Sequence, residues 1–539
     1  MAPKPAANAK AKSPRDGKSP RGAKPTAAAK KKAMGRTVTR GANQALAPAV
    51  EEEAPQPDVE DRNEPLTTFT PGNFVFDNPG RKLTDDYDCD QKDQLGEGGY
   101  GVVFKASIKG NPDAVRAVKK IRKELVKNLR ALRQEIEVMK SADHPNIVKL
   151  YESFEDAKHI YLVMELCEGG ELFDRIIEAG HFSEEQTAHC MRQLLRAVRF
   201  LHDQRICHRD LKPENLIFVK NKPPEQTPMK LIDFGLAEHV PEGKHLKEQK
   251  GSLYYMAPEV LRRRYGIEID VWTCGIIMFI MLSGYPPFYG DDDDSTYVAI
   301  QKDPLTFRPD YWAQRPDDAG GPISEDAMDF IRHMCERDIK GRWTAVQCVD
   351  HPWIQRAKLP FNTKLTPEYL GRLSDYISPT CPLLKRAAFQ LIVNRLSEKE
   401  IKEFKDLFLT LDQDGDGYVV AGDVTHKAKD AGLEADPSLG KIVTALGAAR
   451  LPYTEFMAAV CDQKRFATEL NVISAFRVFD RRNENKINEE VLGQIFHDPT
   501  QVIKDAKEVG KAMMKDHDTN KDGFLDIAEF KVLVTGAVA

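Results

Sequence analysis

Between Gly96 and Glu259 five short patterns follow one another in a fixed order, and few folds can carry them all. They are the glycine run Gly96-Glu97-Gly98-Gly99-Tyr100-Gly101, the lysine of Ala117-Val118-Lys119, the octet His208-Arg209-Asp210-Leu211-Lys212-Pro213-Glu214-Asn215, the triplet Asp233-Phe234-Gly235 and the triplet Ala257-Pro258-Glu259. Any one of these residues alone reads most simply as a surface charge or a satisfied polar group in a core. In series, that explanation fails. The glycines let backbone amides approach phosphate oxygens with no Cβ in the way. A dinucleotide-binding turn needs a helix after its glycines, whereas Val102 to Ile108 reads as a strand, so strand, turn, strand is expected here. The Lys119 ammonium can neutralise the α- and β-phosphates of a nucleotide, and Glu135 on the next predicted helix is its natural ion-pair partner.

Over residues 87–353 the series resembles the eukaryotic protein kinases. The resemblance implies an α+β, bilobal protein kinase fold, consistent with strand-like alternation from Asp93 to Lys120 and helical periodicity from Leu125 to Ile354. It implies roles as well. Asp210 orients the substrate hydroxyl and accepts its proton, Lys212 lies against the γ-phosphate, and Asn215 and Asp233 hold Mg2+, with Lys119 and Glu135 completing the catalytic set. ATP is expected against Leu95, Gly96, Gly98, Gly101, Val103 and Lys119, and against Met164 as gatekeeper before the hinge Glu165-Leu166-Cys167. Glu259 is expected to pair with Arg342, and Asp270 to cap the catalytic loop. Glu171, supported by Glu214, matches the acid with which basophilic kinases bind an arginine three residues before the acceptor, and Lys212 fits serine/threonine specificity. One departure concerns regulation. No Ser, Thr or Tyr lies between Gly235 and Gly251, while Glu238, Glu242 and Glu248 do, so these carboxylates either hold the loop through Arg209 or form a merely solvated acidic loop.

The C-terminal region repeats helix, acidic loop, helix about every 35 residues. Asp412-Gln413-Asp414-Gly415-Asp416-Gly417-Tyr418 opens a twelve-residue loop with oxygen ligands at positions 1, 3 and 5, glycine at 6 and a carbonyl at 7. Its last position is Asp423, a shorter arm than glutamate, which leaves open a preference for Ca2+ or Mg2+. The loop from Asp518 to Glu529 matches at every position, with Asp518, Asn520, Asp522, the Phe524 carbonyl and Glu529 as ligands. Between them, Thr444 to Glu455 and Asp480 to Val491 keep their helices but not their ligands. Arg482 even stands at a ligand position, so neither loop is expected to bind metal. EF-hands pack in pairs, so loops 1 and 2 should form one lobe and loops 3 and 4 the other.

Tail, kinase, junction and four EF units together resemble the calcium-dependent protein kinases of plants and protozoan parasites, over essentially everything after the tail. That family implies an all-α calmodulin-like domain over 400–539, an intramolecular contact between it and the kinase, and an autoinhibitory junction helix over 354–399. Leu383-Leu384, Ala387-Ala388, Leu391-Ile392 and Leu396, interspersed with Lys385, Arg386 and Arg395, also read as a calmodulin-target helix, with an ordinary core helix as the plainer alternative.

With 539 residues, more than one core is required. Residues 1–80 lack apolar periodicity and read as a disordered tail. Its first 50 residues carry twelve Lys or Arg against Asp16, and Lys12-Ser13-Pro14-Arg15 recurs as Lys18-Ser19-Pro20-Arg21. That is either a solvating segment or a phosphosite pair with a nuclear or acidic-surface address. Nine cysteines without a C-x-x-C pair indicate a reducing, cytoplasmic setting with neither disulfide framework nor zinc. The longest apolar stretch, Val271 to Leu282, is too short to span a membrane, and Ala2 stands where myristoylation needs glycine. The expectation is a monomer acting on protein substrates with Arg upstream of Ser/Thr, with no specific nucleic acid partner. A kinase served by separate calmodulin is disfavoured by the fused sensor, and a pseudokinase scaffold by the intact Lys119, Asp210, Asn215 and Asp233.

Overall fold

The computed structural model describes residues 76–78, 81–98, 101–313, 321–357, 363–480, 483–496, 506–515 and 517–536. The first layer is a six-stranded sheet of β1 (Phe76–Asn78), β2 (Tyr87–Gly98), β3 (Gly101–Ile108), β4 (Asn111–Arg122), β5 (Leu150–Glu155) and β6 (His159–Met164), in the order β1-β5-β6-β4-β3-β2. Its inward positions, among them Phe104, Ala106, Ile108 and Val118, close a core with Leu83, Tyr87 and Phe154. The glycine run joins β2 to β3 with Gly98 opposite Gly101, the strand, turn, strand arrangement read from sequence. Across the sheet lies helix α1 (Leu129–Ser141), whose Asn128 side chain caps its first turn by accepting from Ala131 N.

One boundary shifts. Residues Phe76–Asn78, expected in the tail, pair in parallel with β5, Phe76 opposite Glu152. Three residues show no period, and the partner that completes their ladder is distant in sequence, so this strand had no local signal. The other expectations for the tail fall outside the described residues.

The second lobe is helical, with α2 (Leu172–Ala179), α3 (Glu184–Asp203) and α4 (Ile269–Ser283). Ser183 and Gln186 form a capping box that starts α3. Every residue of α4 is buried, as its all-round apolar sequence requires of a core helix, and Gly284 ends it in the left-handed conformation at φ +74°.

Where one junction helix was expected, there are two, α5 (Pro367–Ile377) and α6 (Leu383–Arg395). Pro379 explains the break: the residue before a proline avoids helical geometry, and Ser378, which precedes it, leaves the helix at ψ 137°. Then come α7 (Glu398–Leu411), α8 (Ala421–Asp430), α9 (Pro437–Leu446), α10 (Tyr453–Val460), α11 (Glu469–Phe479), α12 (Glu489–Phe496), α13 (Ala506–Met514) and α14 (Ile527–Thr535). Short strands couple the loops in pairs: Tyr418–Val419 with Leu451–Pro452, and Lys486–Asn488 with Phe524–Asp526. Helix α6 is not the one-faced amphipath its sequence suggested. Leu384 and every residue from Ala387 to Asn394 are buried, packed among α10, α11 and α14 in one core that runs from Leu365 to Val534. The junction helices are thus built into the EF-hand region. Among the described residues no helix is long and apolar enough to cross a membrane.

Candidate active site and calcium loops

The sheet register lines up the expected nucleotide contacts. Gly96 lies opposite Val103, and Val103 opposite Lys119, so these positions on three adjacent strands share one ladder. A Cβ at Gly101 would stand 1.8 Å from Lys120 O, so no other residue fits there. Leu95 is exposed beside the glycines, and Met164 ends β6 opposite Ala117. Lys119 Nζ reaches Glu135 Oε1 of α1 at 3.7 Å. Burial pushes the Glu135 carboxyl up, and the Lys119 ammonium opposes it.

The catalytic loop is held from beneath. Asp270 of α4 accepts from His208 N at 2.8 Å and Arg209 N at 3.1 Å, and it contacts His202 Nε2 at 3.0 Å. Burial alone would raise the Asp270 carboxyl, but these bonds bring it below the usual carboxylate range. Above it, Asp210 meets Lys212 Nζ at 2.6 Å and accepts from Ser252 Oγ at 3.0 Å, while Asn215 Nδ2 donates to Asp210 O at 2.8 Å. That bond leaves the Asn215 amide oxygen as its ligand end. With the Asp233 carboxylate it makes a hard oxygen pair of the kind magnesium takes. Arg209 and Asp233 both hold positive φ, +67° and +66°, conformations that non-glycine residues adopt at a cost.

Arg209 Nη2 pairs with Glu238 at 2.6 Å, and its Nη1 lies 3.6 Å from Glu248. Glu242 instead pairs with Arg205. Glu238 thus ties the acidic loop to the catalytic loop, with Glu248 adding an ion pair from a largely exposed position. Glu259 and Arg342 form a buried bidentate pair, with Nη2–Oε2 at 3.1 Å. Glu214 Oε2 is buried without a hydrogen-bond partner, and burial, with the Glu171 and Asp210 charges adding to it, raises that carboxyl.

In the first EF loop Asp412, Asp414 and Asp416 place carboxylate oxygens within 4.8 Å of one another, the one such group of three among the described residues. Asp412 is fully buried, its Oδ2 has no partner, and burial pushes its carboxyl up to about 7. An orphaned oxygen in a carboxylate cluster fits a cation. Tyr418 N donates to Asp416 Oδ1 at 2.9 Å, while Asp423 stands apart and accepts from Val420 N at 2.9 Å. In the last loop Glu529 Oε1 accepts from Thr519 N and Asn520 N, Asp522 N donates to Asn520 Oδ1, and Asp518 Oδ2 accepts from Gly523 N. The carboxylates of that loop do not converge as those of loop 1 do, but its donors, with the Phe524 carbonyl, are all hard oxygens suited to calcium. Of the two relics, loop 2 has found other partners. Glu455, its twelfth residue, pairs with Arg386 of α6, and Arg450 pairs with Asp416 of loop 1. Arg482 of loop 3 lies outside the described residues.

Sequence reasoning missed the residues that join this region to the kinase. Arg196 of α3 donates to Asp412 O at 3.0 Å and Gln413 O at 3.1 Å, and Arg199 meets Asp414 Oδ2 at 3.1 Å. Gly417, at φ +84°, lets the loop approach so closely that a Cβ would stand 2.8 Å from His144 and Phe200. Asp143 accepts from Thr454 N at 2.8 Å. At the hinge, Glu165 turns its carboxylate into the protein, where Lys230 holds it at 2.6 Å and Lys405 of α7 at 3.1 Å. Burial would raise that carboxyl, but the two ammoniums bring it down to about 2. No local pattern marks these residues, because an arginine or lysine on a helix ordinarily faces solvent.

A glycine-turn sheet over a helical lobe, with Lys119, Asp210, Asn215 and Asp233 at their meeting place and paired EF-hands behind, defines a protein kinase with an attached calcium sensor. The protein kinase domain family matches residues 89–354. Calcium-dependent protein kinase 5 of Plasmodium falciparum is 36% identical over 461 residues, covering 84% of this chain and 79% of the relative. Calcium-dependent protein kinase 3 of Plasmodium berghei is 35% identical, covering 86% and 82%, and calcium-dependent protein kinase 7 of Arabidopsis thaliana is 35% identical, covering 88% of each. The chain belongs to the calcium-dependent protein kinase family and is an ATP-dependent serine/threonine kinase.

Proposed function

We propose that this kinase phosphorylates serine or threonine downstream of an arginine, is held silent by its junction, and is activated when calcium fills two of its own four EF loops. Residues 87–353 are the catalyst, 354–399 the junction and 400–539 the sensor. The observation that carries this reading is the seating of loop 1 on α3: the segment whose carboxylates fit a cation is the segment that Arg196 and Arg199 grip.

In the cleft, Asp210 accepts the substrate hydroxyl proton, with Lys212 beside it to meet developing charge on the γ-phosphoryl group. Lys119, set by Glu135, neutralises the α- and β-phosphates. Leu95, Gly96, Gly98, Gly101, Val103 and Met164 enclose the nucleotide, and the hinge main chain at Glu165 and Cys167 meets the base. Asn215 and Asp233 would hold magnesium, which when bound neutralises phosphate charge. Phosphoryl transfer asks the protein mainly to position and to stabilise charge, and these groups do both. The partnerless buried oxygen of Glu214, beside Glu171, supports a pocket for a substrate guanidinium. Asp412, Asp414, Asp416, Tyr418 and Asp423 form the first calcium site, and Asp518, Asn520, Asp522, Phe524 and Glu529 the second. Nine free cysteines support a reducing compartment, cytoplasmic or, through the basic tail, nuclear, and we expect a monomer.

Two peptides that differ only in Arg or Ala three residues before the serine test the reading, each assayed with calcium and with chelator. Calcium-dependent transfer with preference for the Arg peptide is expected. Equal rates with and without calcium would overturn the regulatory reading, and equal use of both peptides the specificity.

A further inference from the structure

The stretch from Asn394 to Gln413, with α7 at its centre, touches both catalytic lobes and the hinge between them. Just before α7, at the end of α6, Arg116 of β4 donates to the carbonyls of Asn394 and Leu396, at 2.8 Å and 2.9 Å. The end of α7 runs into Asp412 and Gln413, which Arg196 of α3 holds. Fourteen residues at about 1.5 Å each span roughly 20 Å. Near its middle stands Lys405, whose Nζ is 3.1 Å from Glu165 and within 2.8–2.9 Å of both oxygens of Glu398 on its own helix.

Glu165 is the residue on which this arrangement converges. Its side chain is only 2% exposed. Lys230, on β7 (Met229–Leu231), takes its other oxygen at 2.6 Å, and that strand leads directly into Asp233. Its main-chain N–H donates to Lys149 O at 2.9 Å. One carboxylate thus joins the hinge, the strand entering Asp-Phe-Gly, and the helix that ends at the first calcium loop.

The charges pair in a way that suits a reversible contact. Glu165 with Lys230 is neutral within the kinase, and Lys405 with Glu398 is neutral within α7. Docking interlocks the two pairs, and separation leaves no buried ion unmatched. A permanent core contact gains nothing from this design, whereas a contact that forms and breaks avoids the large penalty of a stranded buried charge.

We infer that Lys405 is a positioning residue for the nucleotide: acting through Glu165, it fixes the hinge main chain only while α7 is docked, and so couples calcium occupancy to nucleotide affinity. This rests on the proposed assignments of the hinge as the base contact and of the EF loops as the calcium sites. Coupling between two ligands is reciprocal, so nucleotide must tighten calcium by the factor with which calcium tightens nucleotide.

The test uses the full chain and the magnesium complex of a non-hydrolysable ATP analogue. Its dissociation constant is measured with and without calcium in wild type, K405M, K405R, E165Q and the double variant K405M/E165Q. Wild type should bind the analogue at least about fivefold tighter with calcium, a typical coupling. In K405M that factor should fall towards one, with the calcium-free affinity unchanged. K405R should restore part of the factor, and K405M should lose nothing further in the E165Q background. A fold defect would instead weaken binding in both conditions and would not be rescued by arginine, and that pattern would overturn the inference. So would a wild-type coupling factor retained by K405M. If wild-type phosphotransfer still responds to calcium in that case, only this inference fails; if it does not respond, the regulatory reading falls with it.

Discussion

Asp210 is engaged on three sides, by Lys212, Ser252 and the Asn215 amide, so replacing it with asparagine keeps its shape and removes its basicity. Asp210→Asn should lower kcat by about 10²–10⁴-fold with an unchanged melting temperature, and near-normal turnover would exclude Asp210 as proton acceptor. Glu259 and Arg342 serve stability instead. Both are buried, and removing one partner strands the other's charge, so Glu259→Ala should cost about 3–5 kcal/mol in chemical denaturation. At this scale the sequence was most legible. Glu135 was expected beside Lys119 from the pattern itself, and the resemblance to protein kinases implied Asp270 under the catalytic loop and Glu259 with Arg342. Lys405, Lys230, Arg196 and Arg450 were not legible, since their partners come from elements far away in the chain.

Helix α6 shows how an element can mislead. Paired apolar residues at helical spacing with basic residues between them read as a one-sided target helix, but three helices enclose it and nearly every position is covered. Truncation after residue 360 removes α6 together with α7 and the loop that α3 grips. The truncated kinase should therefore ignore calcium and work more slowly than the calcium-loaded full chain, as peptide phosphorylation rates will show. Full calcium-independent activity would mean that α6 acts only as an inhibitor. Gly417 tests the docking element itself. Gly417→Ala forces a side chain into positive φ, at roughly 1–3 kcal/mol, and into the space of His144 and Phe200. It should raise the calcium concentration for half-activation and leave the calcium-free state unaffected.

For the molecule as a whole, ligand chemistry sets how much calcium it takes. The last loop offers Asp518, Asn520, Asp522, the Phe524 carbonyl and Glu529. The first has only the short arm of Asp423 at its twelfth position and Val420, without a side-chain ligand, at its ninth. Arg450 of loop 2 already pairs with Asp416, so calcium at loop 1 must compete with a guanidinium group. Calorimetric titration in millimolar magnesium should find two ions per chain, the C-terminal one tighter, with Glu529→Gln abolishing the tighter event. Four ions, or loss of only the weaker event, would refute the assignment. If the tight site fills first, loop 1 occupancy sets the activation threshold, because a ligand shifts an equilibrium only by its differential affinity.

The sequence by itself determined the two lobes and their chemistry. Glycine, lysine, aspartate and asparagine at fixed spacings admit few folds, and oxygen donors at alternate loop positions admit few ions. The tertiary structure decided how catalyst and sensor touch. That contact depends on which side chains of α3, β7 and α7 face one another across a docked interface, and burial turns ordinary surface charges such as Arg196 and Lys405 into specific partners. Local sequence encodes the periodicity of a helix but not the identity of what packs against it. The pairing of Glu165 with Lys405 therefore exists only once the chain has folded back on itself.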